Sequence, residues 1–245
     1  MVTFSIAEVV ERFPTLRMGV VVAEHLAIQP ERSPVLEKLV RETQAQVAAA
    51  LGETPLAEVP ELRCWREAYK AFGVKKTSYR SSIERLLKRI QQGAGLPHVN
   101  SLVDSYNVIS VRYRVPVGAD DLDTLVQPMG FRYARPSDTF IALGDETTSP
   151  DPPAPGEVVY ADAEKCLCRR WNWYQDARSA IGATTTRAVL TVQALEPTAA
   201  LVDEAVHELC ALLKEQCGAE TAWAVADKSK PEVRIALETE KIVHD

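Results

Sequence analysis

The sequence predicts an α+β fold, with helices packed on mixed or antiparallel sheets. Three observations lead there. Capped amphipathic helical segments dominate roughly the first hundred residues. Short β-branched runs take over between residue 108 and about residue 193, and the C-terminal part reads as one long helix followed by two strands. With 245 residues the chain can bury a large core. It is expected to form a single domain over residues 1–245: a helical and αβ part with a basic helix (1–97), a β-rich part bearing the motifs (98–195) and an αββ part (196–245).

Taken in order, Met18-Gly-Val-Val-Val-Ala is a short apolar, β-branched run and reads as a buried strand. Ser33-Pro34 with Glu37 supplies an N-cap, a first-turn proline and a first-turn acid. Leu36, Leu39, Val40 and Val47 then carry the apolar stripe of a helix, and Gly52 sits past its end. Trp65, Tyr69 and Phe72 fall at helical spacing as a core stripe closed by Gly73. A further helix begins at Ser81, with Glu84 completing a capping box. Its residues Ile83, Leu86, Leu87 and Ile90 face inward, Arg85, Lys88 and Arg89 face outward, and Gly93 closes it. Strands are expected at 108–113, 129–134, 139–143, 157–160 and 188–193, interrupted by the proline-rich stretch 149–156, read as an extended polyproline loop. A helix over 197–217 and strands over 221–226 and 232–237 complete the chain.

Hydrophobic residues make up 46% and charged residues 25%, the composition of an ordinary globular protein. No apolar run approaches the roughly 20 residues of a membrane span. The N-terminus lacks a basic segment and meets Glu8 too early for a signal peptide, so a cytoplasmic location without membrane contact is expected. Five cysteines, an odd number, fit reduced thiols. Cys166-Leu-Cys168 has neither metal-ligand spacing nor a second pair, and in a strand both would lie on one face as small buried hydrophobes. No metal and no cofactor are expected. The net charge of −6 counts against a nucleic-acid partner for the chain as a whole. One region is nevertheless strongly basic: Lys75, Lys76, Arg80, Arg85, Lys88 and Arg89, preceded by Arg63 and Arg66.

Downstream of it lies Asn100-Ser-Leu-Val-Asp-Ser-Tyr-Asn-Val-Ile-Ser, read as a helix passing into a strand, and then Pro116-Val-Gly-Ala-Asp-Asp-Leu-Asp. Asp104 and Asn107 stand inside an apolar run. Burying such groups without hydrogen bonds costs about 1–3 kcal/mol each, so the segment reads as a polar site under construction. These residues resemble the B3/B4 module of the phenylalanyl-tRNA synthetase β subunit. That editing module has patterns close to V-D-x-T-N-Y and P-L-H-A-F-D-L-D. Ala161-Asp162 falls where the module has I-A-D, and Thr186 where a threonine opens its next strand. The resemblance covers about residues 60–195, with no anticodon-binding or aminoacylation segment expected beside it.

The resemblance implies a B3/B4-like fold and a free-standing trans-editing factor that hydrolyses the ester of mischarged aminoacyl-tRNA. Its partner would be the aminoacylated 3′ end of tRNA, with the basic region holding the backbone. Asn107 matches the motif asparagine that lies near the scissile ester, where an amide can donate to a carbonyl or hold a water; its plainer role would be a local cap. Tyr106 replaces the motif threonine, either as a polar contact beside Asn107 in catalysis or as a core ring. Gly118 replaces the motif histidine, so catalysis there would be positional, assisted by a ribose hydroxyl; His98 is the nearest imidazole in sequence.

Of the acidic cluster, Asp121 and Asp123 match motif aspartates and Asp120 replaces a phenylalanine; Asp121 is counted with the substrate pocket. Aspartates after a glycine turn more often cap the next element. Arg169, Arg170, Trp171, Asn172 and Trp173 replace a glycine-rich loop that lines the amino-acid pocket. They either wall the pocket, with arginines on phosphate and rings on adenine, or fill the core under an arginine lid. Val192 falls where the module has a glutamate that reads the tyrosine hydroxyl, or Gln193 does if the alignment slips by one. An apolar Val192 would disfavour tyrosyl-tRNA. Two other readings compete: a non-catalytic tRNA- or RNA-binding module, and a binder of small amino-acid derivatives.

Overall fold

The computed structural model describes residues 1–74, 79–144 and 152–236. Lys75 and Lys76, the beginning of the proline-rich stretch and Leu237 therefore lie outside the described residues. Among the described residues, ten strands form two sheets. The larger has the spatial order Glu232–Ile235 (β10), Val2–Ser5 (β1), Met129–Tyr133 (β4), Val158–Ala161 (β5), Cys166–Arg169 (β6) and Tyr174–Gln175 (β7). It is mixed, because β1 and β4 run parallel while the other neighbours are antiparallel. The smaller is wholly antiparallel, in the order Val117–Asp121 (β3), Ala188–Ala194 (β8), Arg17–Glu24 (β2) and Glu220–Ala226 (β9). The helices are Ala7–Val10 (α1), Pro34–Leu51 (α2), Pro60–Ala71 (α3), Ser82–Gln91 (α4), Ser101–Tyr113 (α5) and Val202–Cys217 (α6). The fold is α+β, as the sequence predicts.

The helix signals work as read. Ser33 Oγ accepts from Leu36 N at 3.1 Å, and Gly52 ends α2 at a positive φ of 50°. Trp65, Tyr69 and Phe72 are buried along α3. Ser81 caps α4, but the capping box is only half made. The Glu84 carboxylate turns instead to Arg66 at 2.6 Å and Arg80 at 2.7 Å. That pairing tethers α3 to α4.

The strand expected at 108–113 is helix. It is the second half of α5, which packs against α2, α4, α6 and β3 and so is buried on nearly every side. Such a helix has no polar face, so its residues show no 3.6-residue alternation, and a β-branched run reads as strand. Small serines let it sit closely. Ser105 donates to Ser101 O and Ser110 to Val115 O, both at 2.6 Å. Residues 139–143 do not form a regular strand either. They follow the larger sheet's edge as an extended segment with a single bridge, Ala142 to Asp176. The pieces absent from the expected elements, β1, α1, β3, β6 and β7, are too short or too poor in strand formers to signal; β3 is Val-Gly-Ala-Asp-Asp.

One large cluster of buried side chains runs from Val2 to Ile235 and draws on both sheets and all six helices. The strand β5 is buried on both faces: Val158 and Tyr160 join this cluster, while Val159 and Ala161 join a second one with Phe140 and Cys166. Close approach of the backbones explains Gly130. A Cβ there would lie 2.1 Å from Ser5 O, across the parallel β1–β4 pair. Because that neighbour is backbone, it cannot swing away. Gly130→Ala is therefore expected to lower Tm by about 5 °C or more in a thermal melt, in line with roughly 1–3 kcal/mol for overpacking.

Candidate functional site

The edge strands of the two sheets meet at one place. Gln175 of β7 donates through Nε2 to Ala119 O of β3 at 2.7 Å and to Asp120 Oδ1 at 3.0 Å, stitching the sheets together. Beside this seam, under α4 and α5, lies a cavity of about 530 Å³, within the range typical of small-ligand sites. Val103, Tyr106 and Asn107 of α5 form one wall, and Ser82, Arg85, Leu86 and Arg89 of α4 another. The remaining lining comes from β3, from Thr191 and Gln193 of β8, and from Asn172, Trp173, Tyr174 and Gln175.

The helix α5 owes its placement to Asp104. Its carboxylate, fully buried, accepts from Arg32 Nε at 2.6 Å and Val99 N at 3.0 Å and pairs with His98 Nδ1 at 2.6 Å. Arg32 also reaches Pro97 O at 3.0 Å. The segment entering α5 is thus clamped, and Pro97 and Val99 are held at the cavity mouth. The Asp104 hydrogen bond raises the His98 pKa. His98 belongs to this clamp and does not line the cavity, so it does not replace the missing motif histidine. One helical turn on, Asn107 faces the cavity. It is 6% exposed, and its amide makes no side-chain hydrogen bond among the described residues. The two buried polar groups have separate jobs: Asp104 holds the wall and Asn107 faces what fills it. Tyr106 also lines the cavity; burial first, then the nearby Asp120 and Asp104 carboxyls, raises its hydroxyl pKa, keeping it protonated as a donor.

Gly118 lies opposite Thr191 in the β3–β8 pair, and Thr191 and Gln193 are two apart on β8, so all three face the cavity. A Cβ at Gly118 would meet nothing within 4 Å. The glycine leaves open space where the motif has an imidazole. Val192 points the other way. It is fully buried, with its Cβ 3.5 Å from where a Gly19 Cβ would stand, beside Val202 and Val206 of α6. The expectation of an apolar wall at Val192 is therefore corrected. The residue facing the cavity is Gln193, because strand side chains alternate and a one-residue offset reverses the face. Gln193 accepts from Asn172 Nδ2 at 3.1 Å and donates to Thr191 Oγ1 at 3.0 Å, and Asn172 Oδ1 accepts from Tyr69 OH at 2.8 Å. This chain of amides and hydroxyls backs the cavity.

The segment 169–173 divides. Arg169, 2% exposed, pairs with Glu157 through Nε at 3.1 Å and Nη2 at 3.0 Å. Glu157 also accepts from Arg170 N at 2.8 Å. Arg170 and Trp171 then take positive φ of 47° and 67°. The turn drives Trp171 into the core, against Phe13, Trp65, Phe72 and Phe131. It turns Asn172 and Trp173 into the cavity. The Arg170 guanidinium lies over the rings of Tyr79 and Trp173, 3.8 and 4.4 Å from their centroids. Arg169, Arg170 and Trp171 are thus corrected to buttress and core, while Asn172 and Trp173 line the cavity.

Asp121 is likewise not in the cavity. Its Oδ1 accepts from Asp123 N at 3.1 Å, capping a short 3-10 turn, and its Oδ2 from Thr185 Oγ1 at 2.6 Å. Asp123 is paired with Arg187 on the surface. The carboxyl that does line the cavity is Asp120. It is 4% exposed, and its Oδ1 accepts from Ser179 Oγ at 2.6 Å as well as from Gln175. Burial raises its pKa to about 7; Asp176 adds to the rise, while Ser179, Gln175 and Lys165 oppose it. Sequence reasoning had it only as a cluster member, and its place in an edge strand, two residues after Gly118, was the available signal. Cys168 also lines the cavity, but burial pushes its thiol up to about 12, which disarms it as a nucleophile. Among the described residues no group of three or more His, Cys, Asp or Glu is arranged to hold a metal ion.

Of the basic region, Arg85 and Arg89 stand exposed at the cavity rim. Arg85 lies 5.6 Å from the Tyr174 ring centre, and Arg89 donates to Gly95 O at 3.0 Å. Lys88 is exposed beside them, while Arg80 is committed to Glu84. No described helix is long and apolar enough to cross a membrane.

With this geometry in view, residues 64–218 match the model of the B3/4 domain, more than half of the chain, and the protein belongs to that family. A solved structure, an N-terminal fragment of the phenylalanyl-tRNA synthetase β subunit from Pyrococcus horikoshii, is 12% identical with a TM-score of 0.42. The match covers 83% of this chain and 46% of that one, so the chain spans about half the length of that fragment. No curated protein matches.

The Asp120 carboxyl gives a stability test. Its folded pKa of about 7 lies above the ordinary 3.8, so the folded state is disfavoured progressively as pH rises from about 4 to 7, and fully above. Asp120→Asn removes that titration. In melts across pH 4 to 9 the variant's Tm advantage over the wild type is expected to widen up to pH 7, then level at about 5 °C or more. A flat difference would contradict a buried carboxyl.

Proposed function

We propose that the protein is an aminoacyl-tRNA deacylase: it binds the aminoacylated 3′ end of tRNA in this cavity and hydrolyses the ester of a mischarged amino acid. The observation that carries the reading is Asn107, a buried amide without a side-chain partner among the described residues, facing a cavity it shares with Asn172, Trp173, Gln193 and the open space at Gly118. Membership of the B3/4 family and the resemblance to the synthetase editing module support it. In this reading the amide donates to the ester carbonyl or to the attacking water, where charge develops in the transition state. Tyr106 adds a second donor. Among the described residues no histidine lines the cavity, so catalysis in this reading rests on positioning and on the vicinal ribose hydroxyl.

The rim gives the orientation. Arg85 and Arg89, with Lys88 beside them, face phosphates of the acceptor end, and Trp173 and Tyr174 offer rings on which a base can stack. Leu86, Val99, Val103 and Ile181 provide apolar surface for the amino-acid side chain. Expected in the cytoplasm, the protein would act on tRNA released by synthetases. The open Gly118 favours one alternative, a B3/4 module that binds tRNA without hydrolysing it.

A panel of mischarged tRNAs incubated with purified protein tests this. Deacylation of at least one member is expected, and Asn107→Ala is expected to lower kcat/KM about 100-fold with an unchanged melt. Binding without deacylation of any member would leave the non-catalytic module. For the rim, log Kd for tRNA should vary steeply with log salt, and Arg85→Glu with Arg89→Glu should flatten that slope by roughly 1 to 2. An unchanged slope would place the phosphate contacts elsewhere.

A further inference from the structure

Asp120 is placed more deliberately than a core carboxyl requires. Its Oδ1 is saturated by Ser179 and Gln175. Its Oδ2 has no hydrogen-bond partner among the described residues, although the residue is 96% buried, being 4% exposed, and lines the cavity. It is the only carboxyl among the described cavity residues; the other charged groups there are Arg85 and Arg89, exposed on α4. A desolvated carboxylate is costly unless a cation or several donors meet it. Here the fold supplies two donors to one oxygen and, among the described residues, none to the other. Gln175 cannot turn away to serve it, because the same Nε2 also holds Ala119 O at 2.7 Å.

The cavity is therefore polarised, with guanidinium groups at the exposed rim and one carboxyl inside. An aminoacylated nucleotide carries the complementary pattern, phosphate at one end and a protonated amine at the other. We infer that Asp120 Oδ2 receives a protonated amino group of the ligand, and that the site selects for ligands bearing one. This rests on the reading above for its ligand class, and adds which end of the ligand enters and what is read there. The amine could be the α-ammonium or a side-chain ammonium; the carboxyl recognises the shared chemistry. The role is binding and discrimination, distinct from the Asn107 amide at the ester. A carboxyl that burial makes reluctant to ionise also becomes a stronger partner once a cation arrives, since little water screens the pair.

The test is calorimetric titration with hydrolysis-resistant probes: adenosine 5′-phosphate carrying phenylalanine through a 3′-amide link, the same probe N-acetylated on the α-amine, and an Nα-acetyl-lysyl version. The wild type is expected to bind the free-amine probe at least about 10-fold more tightly than its N-acetyl form. Asp120→Asn, which keeps shape and the Oδ1 contacts, is expected to bind both like the acetylated one. Tight binding of the Nα-acetyl-lysyl probe, lost in Asp120→Asn, would assign the amine to the side chain. Equal binding of the free and acetylated phenylalanyl probes by the wild type together with no tighter binding of the Nα-acetyl-lysyl probe, or a preference that survives in Asp120→Asn, would overturn the inference. If no nucleotide probe binds, thermal shifts with phenylalaninamide and N-acetylphenylalaninamide separate the cases. Stabilisation by the free amine in the wild type alone would uphold Asp120 while removing the nucleotide reading, and no stabilisation by either would remove both.

Discussion

Trp171 occupies the left-handed region of backbone space with its side chain wholly out of solvent. Together with Arg170 it makes two consecutive non-glycine residues there, a conformation that costs about 1–2 kcal/mol apiece. The surroundings hold the turn in place. Glu157, itself buried, takes both the Arg169 side chain and the Arg170 amide, and Trp171 N donates to Val158 O at 2.7 Å. The indole then fills the space between Phe13, just after α1, the aromatic side chains of Trp65 and Phe72, and Phe131 of β4. Burial of a ring this size is worth several kcal/mol, which exceeds the backbone cost. Because the turn reverses the chain within two residues, the neighbours of Trp171 emerge on the other side, and that is how Asn172 and Trp173 come to face the cavity. Without the turn, the tryptophan's place in the core and the cavity's inner wall could not both exist.

The opposite wall depends on a different device. A helix buried on nearly all sides has few polar contacts to fix its rotation, and α5 obtains them at its first turn. Asn100 caps it by accepting from Val103 N at 2.9 Å, and Asp104 binds the preceding loop through Arg32, His98 and Val99. Once that turn is anchored, helical geometry decides that Asn107, three residues on, looks into the cavity. The two sheets are then joined by Gln175, whose single amide nitrogen bridges their edges. Among the described residues lining the cavity, two buried polar side chains have functional atoms without a hydrogen-bond partner, the Asn107 amide and the outer oxygen of Asp120.

Those two groups differ in chemistry. A neutral amide costs little to desolvate and can donate or accept, which suits a carbonyl or a water. A carboxyl costs much more and asks for a cation. Under the proposed reading, their presence in one cavity whose rim is cationic suits a ligand with an anionic end, a central polar bond and a cationic end. That is a narrower description than a family match provides.

The sequence alone determined the α+β class, the helices with clear caps and the aromatic stripe of α3, and it marked the segments around Asn107 and over residues 169–173 as the places to look. Those signals are local: a cap, a stripe or a composition anomaly lies within a few residues and needs no partner. Tertiary structure decided everything that turns on a face or an environment. Residues 108–113 became helix because burial on all sides removes the periodicity that marks a helix. Val192 lost its place to Gln193 because spacing in a strand sets alternation but not which side meets the cavity. The arginines went to Glu157 and to aromatic rings, and Asp121 to a cap, because partners distant in the chain were available to each. Asp120 emerged only when the fold buried it, since what makes a carboxyl informative is its surroundings, and those are assembled from four separate stretches of chain.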